Sequence, residues 1–317
     1  VRSQVRFALT GTPVENRLGE LWSIFSFLMP GYLPPYKTFC ARFEKPIVQD
    51  EDANAVRRLN QLTGPFILRR MKADVLRELP PKTENVHRIE LDTEQRKLYL
   101  AAVVDAREKL RAAKPDDKMA VFAVLMRLRE ICCDPRLVAD NWDGGSAKLD
   151  ACMELVTAAV EGGHRILLFS QFTSMLELLA KRLDEAGVSH FTLQGSTPKP
   201  VRAEQVRRFN QGEADVFLIS LRAGGTGLNL TAADIVIHYD PWWNLAAQNQ
   251  ATDRAYRIGQ RNPVQVYRLI AQDTIEEKIV ELQQAKQSLA DTVTGGADGA
   301  ILSMNPEQLL QLLGEEA

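Results

Sequence analysis

The chain has 317 residues, 45% hydrophobic and 25% charged, with 39 basic and 41 acidic side chains and a net charge of -2. This is the composition of a globular chain of two domains, or of one with appendages; it excludes a polycation, so any nucleic-acid site is a local patch. No apolar run reaches bilayer length, no signal peptide opens the chain, and Cys40, Cys132, Cys133 and Cys152 lack zinc-ligand spacing, which reads as four reduced thiols in a cytosolic protein with no membrane partner.

Val5 to Leu9 reads as a short apolar strand that runs into a turn at Thr10-Gly11-Thr12-Pro13. Asn16 is placed to cap a helix in which Leu18, Leu21, Trp22, Phe25 and Leu28 recur at helical spacing, ended by Pro30-Gly31. A lone strand and helix cannot bury both faces, so more structure is expected before Val1. Tyr32 to Pro80 is mixed and helical, with a basic strip at Arg69, Arg70 and Lys72. Val86 to Leu91 alternates as a strand, and Thr93 caps a helix reaching Lys109. Val121, Leu125, Leu128 and Ile131 form the stripe of another helix, and Asn141 to Ser146 (NWDGGS) reads as a linker at a domain boundary.

Beyond that linker strands alternate with helices. The strands are Ile166–Phe169, His190–Leu193, Val216–Ile219, Ile235–Tyr239 and Val264–Leu269. The helices fall near Lys148–Glu161, Ser174–Ala186, Val201–Gln211 and Leu245–Tyr256. Continuously apolar strands are buried on both faces, which gives an α/β layer with a mainly parallel sheet. Ligands of such sheets sit beyond the carboxyl ends of the strands, where Ser170-Gln171, Gly195, Ser220 to Gly227 and Asp240 to Asn244 all lie. Thr274 caps a last long helix, with Glu277 placed for a capping box and Gly295-Gly296 as its stop. A short amphipathic helix, PEQLLQLL, follows from Pro306.

Several residues carry chemistry. Arg254 and Arg257 stand three apart on a helix-prone segment, a spacing that puts two guanidinium groups on one helix face. Two planar forks suit a polyphosphate; the plainer alternative is surface pairing, for instance with Asp253. In Ala223-Gly224-Gly225-Thr226-Gly227, three glycines let backbone amides approach a phosphate closely, or make a plain turn. Ser170, Gln171 and Gly195-Ser196-Thr197 offer small polar groups for phosphate oxygens, or for helix capping. Asp240 is placed to pair with a nearby arginine. His238, inside an apolar strand, reads as a core residue with a hydrogen-bond partner; His87, His164 and His190 show no metal or triad arrangement.

The strings ISLRAGGTGLNL, IVIHYDPWWN and QATDRAYRIGQ, with LTGTP (Leu9 to Pro13), FILRRMKADV through LPPK (Phe66 to Lys82), ILLFSQF (Ile166 to Phe172) and TIEEKI (Thr274 to Ile279), resemble the SWI/SNF-type ATPases, duplex-DNA translocases of helicase superfamily 2. The resemblance runs over nearly all of the chain in the family's order. It implies an α/β fold: a RecA-like, P-loop-NTPase-type, mainly parallel sheet flanked by helices, plus a helical protrusion region. It divides the chain into the end of lobe 1 (residues 1–30), protrusions and linker (31–145), lobe 2 (146–273) and a brace helix with a tail (274–317). Neither the Walker A string nor the acidic Walker B pair occurs in the sequence. The family places both before residue 1, in a lobe 1 that would be the partner of this chain, so these residues alone are expected to be inactive.

The resemblance also implies roles. Arg254 and Arg257 are the arginine fingers; Gln250, Gly225, Thr226, Gly227 and Asp253 line the ATP or lobe interface. Thr10, Gly11 and Thr12 couple ATP state to lobe closure. Ser170, Gln171, Gly195, Ser220, Arg222, Trp243 and Asn244 face double-stranded DNA, although one of Trp242 and Trp243 also fits a core position. ATP is the implied nucleotide and Mg²⁺ is held mainly by lobe 1, so no metal ligand is assigned here. A protein partner to be displaced or remodelled is implied, in a cytoplasmic, nucleoid-associated setting for a bacterial or archaeal protein and a nuclear one for a eukaryotic protein. Leu245, where the family has proline, and Tyr256, where it has histidine, depart from the pattern without removing a phosphate ligand. A non-catalytic DNA- or protein-binding scaffold and an RNA helicase of the same superfamily remain as alternatives.

Overall fold

The protein was analysed as a computed structural model that describes residues 3–10, 18–50, 52–68, 70, 76, 78–115, 117–139, 141–221, 223, 227–283 and 304–314. It divides into two compact units: 1–77 with 243–246 and 281–301, and 78–242 with 247–280 and 302–317.

The larger unit is built on one six-stranded sheet. Its strands are β1 (Lys82–Ile89), β2 (Ile166–Ser170), β3 (His190–Leu193), β4 (Val216–Ser220), β5 (Ile235–His238) and β6 (Val264–Ala271), in the order β1-β6-β5-β2-β4-β3. Every neighbouring pair is parallel. The apolar runs ILLFS, VFLIS and IVIH occupy the middle and are buried along their whole length, as strands covered on both faces must be. β1 and β3 stand at the edges and keep much of their surface.

One face of the sheet packs Ile166, Leu168, Val216, Leu218, Ile235, Ile237 and Tyr239 against helices that include Ala147–Glu161 and Thr173–Glu185. The other face packs Leu167, Phe169, Phe217, Ile219 and Val236 against Phe209, Ala251 and Ala255. The helix Lys118–Cys133 buries its expected stripe, Val121, Leu125, Leu128 and Ile131, and also Arg129. All four cysteines are free thiols. Burial pushes those of Cys132, Cys133 and Cys152 up, so they stay protonated and serve as small apolar groups.

The expected boundary at Asn141–Ser146 is not where the compact units divide. β1 lies before it in sequence, yet pairs with β6 over all eight of its residues, Lys82 with Val264 through Ile89 with Ala271. The helix Thr93–Ala112 follows it and belongs to the same unit. Its cap is Asp92, whose side chain accepts the Gln95 N–H, rather than Thr93. Thr274 does cap the helical residues 275–283, accepting the Glu276 N–H at 3.2 Å. Glu277 reaches back to the Asp273 N–H at 3.0 Å, one residue earlier than a capping box places it. The stop expected at Gly295-Gly296 lies outside the described residues. The tail helix Pro306–Leu312 carries a full capping box between Asn305 and Gln308.

The smaller unit gathers Leu18, Leu21, Phe25, Leu33, Phe39, Phe43 and Leu59 into a core of its own. Its helices include Leu18–Leu28 and Ala53–Thr63. Among the described residues Val5 to Leu9 forms no strand and has no ladder partner, and Val5, Phe7 and Leu9 are 66%, 82% and 99% exposed. Asn16, Arg69 and Lys72 lie outside the described residues.

Candidate functional site

The carboxyl ends of β2 and β5 meet in a closed hydrogen-bond network. Asp240, fully buried, accepts the Ser170 hydroxyl at 2.7 Å and the Gln171 N–H at 3.1 Å on one carboxylate oxygen. Its other oxygen accepts Nη2 of Arg129 at 3.0 Å. The expected arginine partner of Asp240 therefore exists, and it comes from a helix 111 residues away in sequence. Ser170 and Gln171 are turned inward by these bonds, and Ser170 has no exposed surface. The Ser170 hydroxyl, expected to face phosphate, is here held by Asp240. Ser220, at the end of β4, is also buried.

The segment after β5 departs from expectation in one respect. The helix begins at Leu245 but stops at Thr252, so Arg254 and Arg257 lie in the turns that follow and not on a helix face. The reason is Gln260. Its buried amide donates to Ala233 O at 2.7 Å and Ala255 O at 3.2 Å, while its oxygen accepts the N–H groups of Arg261 and Asn262. Gly259, at φ 103°, supplies the reversal that only glycine adopts freely. The chain is thus folded back on itself around the two arginines.

Their environments differ. Arg257 is exposed and donates one bond, to Leu228 O at 3.3 Å. Arg254 is 6% exposed, and its Nε and Nη1 are buried with no hydrogen-bond acceptor. Its guanidinium lies 5.9 Å from the centre of the Phe169 ring. Burial, together with the neighbouring charges of Arg202 and Arg257, pushes Arg254 down to about 10, which leaves it charged at neutral pH. Arg202, which the sequence did not single out, donates to Ala223 O at the start of the glycine loop. Three arginines therefore converge, and among the described residues the most buried one meets no carboxylate. His238 also stacks on Phe169, at 5.6 Å, and shares a 2.9 Å hydrogen bond with Thr252. Burial pushes His238 down to about 3, so it is the neutral core residue the sequence implied.

Of the remaining site residues, Gln250 is exposed, Asp253 is half-buried, and Trp243 is buried with Asn244 beside it half-buried. Gly195 and Gly227 each face open space where a side chain would stand. Thr10 is exposed in the smaller unit. Gly11, Thr12, Arg222, Gly225 and Thr226 lie outside the described residues. Among the described residues no three His, Cys, Asp or Glu side chains gather as a metal would require. No helix there is long and apolar enough to cross a membrane.

Residues 1–137 match the SNF2-related domain and residues 147–259 the helicase conserved C-terminal domain. A SWI2/SNF2 ATPase core from Sulfolobus solfataricus, solved in complex with double-stranded DNA, superposes with a TM-score of 0.63 at 33% identity, over 98% of this chain and 67% of that one. The chain belongs to the SWI/SNF family of ATPases. It is 41% identical over 314 residues to a putative ATP-dependent helicase/translocase of Bacillus subtilis, covering 96% of this chain. It is 37% identical over 307 residues to a human SWI/SNF-related, matrix-associated, actin-dependent regulator of chromatin, covering 92% of this chain. It spans 34% and 29% of the lengths of those two curated relatives. The all-parallel sheet is the RecA-like layer of the SWI2/SNF2 ATPase core. The gap between the two family matches, residues 138–146, contains the linker expected from sequence, while the compact units divide elsewhere.

Proposed function

We propose that this chain supplies the second RecA-like lobe of an ATP-driven double-stranded-DNA translocase or remodeller. The observation that carries the reading is Arg254: a buried guanidinium pressed by two further arginines, whose Nε and Nη1 find no acceptor and no carboxylate among the described residues. A charge removed from water at such cost implies an anion delivered from outside the unit. A γ-phosphoryl group fits, because its transfer concentrates negative charge on oxygens that planar forks can bond.

On this reading Arg254 and Arg257 bind and stabilise the phosphoryl group of ATP. Gln250, Asp253 and the loop containing Gly225, Thr226 and Gly227 lie toward the nucleotide or the opposing lobe. Thr10, Gly11 and Thr12 transmit the ATP state. Gly195, Arg222, Trp243 and Asn244 lie along the DNA backbone; Ser170, Gln171 and Ser220 shape that surface from beneath. Mg²⁺ is held mainly by lobe 1, and no metal ligand is assigned among these residues. A DNA-bound protein is the partner moved or displaced. The DNA-bound solved relative and the helicase/translocase name of the Bacillus relative support the DNA-directed part.

Replacing Arg257 by alanine in the full-length protein tests the assignment. ATP turnover should disappear while duplex-DNA affinity, measured by anisotropy, stays close to that of the parent. Equal loss of both would make Arg257 a DNA contact or a folding residue instead. The 317 residues alone should not hydrolyse ATP, and DNA-stimulated phosphate release by them would contradict the reading. Stimulation of the full-length protein by RNA but not duplex DNA would move it to the RNA helicases.

A further inference from the structure

Arg129 is fully buried in the middle of the helix Lys118–Cys133, with Arg127 exposed two positions away. Its guanidinium sits where the sheet's connections diverge. The chain leaving β2 runs toward β4 and β3, and the chain leaving β5 runs toward β6. In open α/β sheets the crevice at such a divergence takes the ligand. Here it takes the chain's own cation.

The fork is used on both sides. Nη1 donates to Gln171 Oε1 at 2.8 Å, in the loop after β2. Nη2 donates to Asp240 Oδ2 at 3.0 Å and to Pro241 O at 2.7 Å, in the loop after β5. The rings of Phe172 and Trp242, one from each loop, lie 5.3 and 5.7 Å from its central carbon. The residue belongs to the SNF2-related match, and both loops belong to the helicase C-terminal match. Neither loop can shift against the other without breaking charge-assisted hydrogen bonds in a site without water contact.

We propose that Arg129 is a positioning residue for duplex-DNA engagement: it ties the β2 and β5 loops together and so fixes the surface that Gln171 and Trp242 present at the carboxyl edge of the sheet. The proposal rests on the reading of this chain as part of a DNA translocase. A lysine in this place keeps the charge but gathers its three donors on one compact nitrogen, so it does not reproduce the two-sided fork that reaches both loops. The loops would then be fixed less well while the arginines at the ATP-facing turn are untouched.

The test is steady-state ATPase activity of the full-length protein, titrated with duplex DNA and separately with ATP, for the parent and Arg129→Lys, with melting temperature read in parallel. The expected result is a half-saturating DNA concentration raised on the order of 10- to 100-fold, the scale of a misplaced binding geometry. The KM for ATP and the unstimulated turnover should stay within about twofold, inside the scatter of a change that leaves the phosphate ligands alone. An unchanged DNA response in the folded variant overturns the proposal. So does a uniform fall in unstimulated turnover, ATP affinity and DNA response, which is what general loosening of the fold produces. Where Arg129→Lys melts below the assay temperature, Phe172→Leu, which removes only the β2-side ring lying 5.3 Å from the guanidinium, is read by the same criteria. A parent protein that duplex DNA fails to stimulate would remove the underlying translocase reading, an outcome distinct from failure of this proposal.

Discussion

On the side of the sheet lined by Ile166, Leu168 and Tyr239, two cations are fully buried and each meets a carboxylate. Arg129 bonds Asp240, and Lys148 bonds Glu276 at 2.6 Å while lying 5.4 Å from the Tyr239 ring. On the side lined by Leu167, Phe169 and Val236, Arg254 is buried as well, but it meets an aromatic ring and two more arginines. The two arrangements share the desolvation penalty and differ in what offsets it. A paired buried charge is complete and belongs to the architecture. An unpaired one is incomplete until an anion arrives, and on the proposed reading it belongs to a binding site.

The largest expected effect separates the two faces directly. Arg254→Ala in the full-length protein should lower ATP turnover on the order of 10³-fold or more, measured as phosphate release, without lowering the melting temperature. A large loss of stability would mean that Arg254 has a hidden structural partner. Next, Arg129→Met or Lys148→Met leaves a buried carboxylate without its counter-ion and should cost about 3–5 kcal/mol in urea unfolding. A cost near zero would erase the contrast between the faces.

A smaller effect is pH-dependent. His238 is held neutral in the fold down to about pH 3, whereas its unfolded form takes up a proton near 6.5. The unfolded state then binds more protons, so its contribution is complete above pH 6.5 and is lost as pH falls. The loss is about 2 kcal/mol between pH 6.5 and pH 5. Unfolding curves of the parent and His238→Gln over that range should differ by this slope; parallel curves would mean that His238 is solvated. The smallest effect is expected from Lys148→Met combined with Glu276→Leu. Removing both charges should cost less than Lys148→Met alone, because no carboxylate is then left without its counter-ion; what remains is the loss of the Ala271 N–H bond to Glu276.

The sequence showed those parts of the fold whose signal is local. ILLFS, VFLIS and IVIH announce central parallel strands because they are apolar on both faces. KTENVHRI also announces a strand by its alternation from Val86, but nothing local says that its partner is β6, about 180 residues later. Arg129 stayed hidden for the same reason. Within RLREICC it reads as the solvent face of an amphipathic helix, and only the distant Asp240, Gln171 and Trp242 bury it. Arg254 and Arg257 were found through a family resemblance, while the helix expected to carry them was ended early by a side chain, Gln260, whose bonds no periodicity encodes.

The central claim is that the buried fork of Arg254 waits for a phosphoryl group. It is tested most directly by a structure of the full-length protein with a phosphoryl-transfer analogue of ATP bound. The account predicts that Nε or an Nη of Arg254 lies within hydrogen-bond distance of the analogue's terminal oxygens, with Arg257 on the same group. Arg254 found instead against a protein carboxylate, or still facing only Phe169, would contradict it.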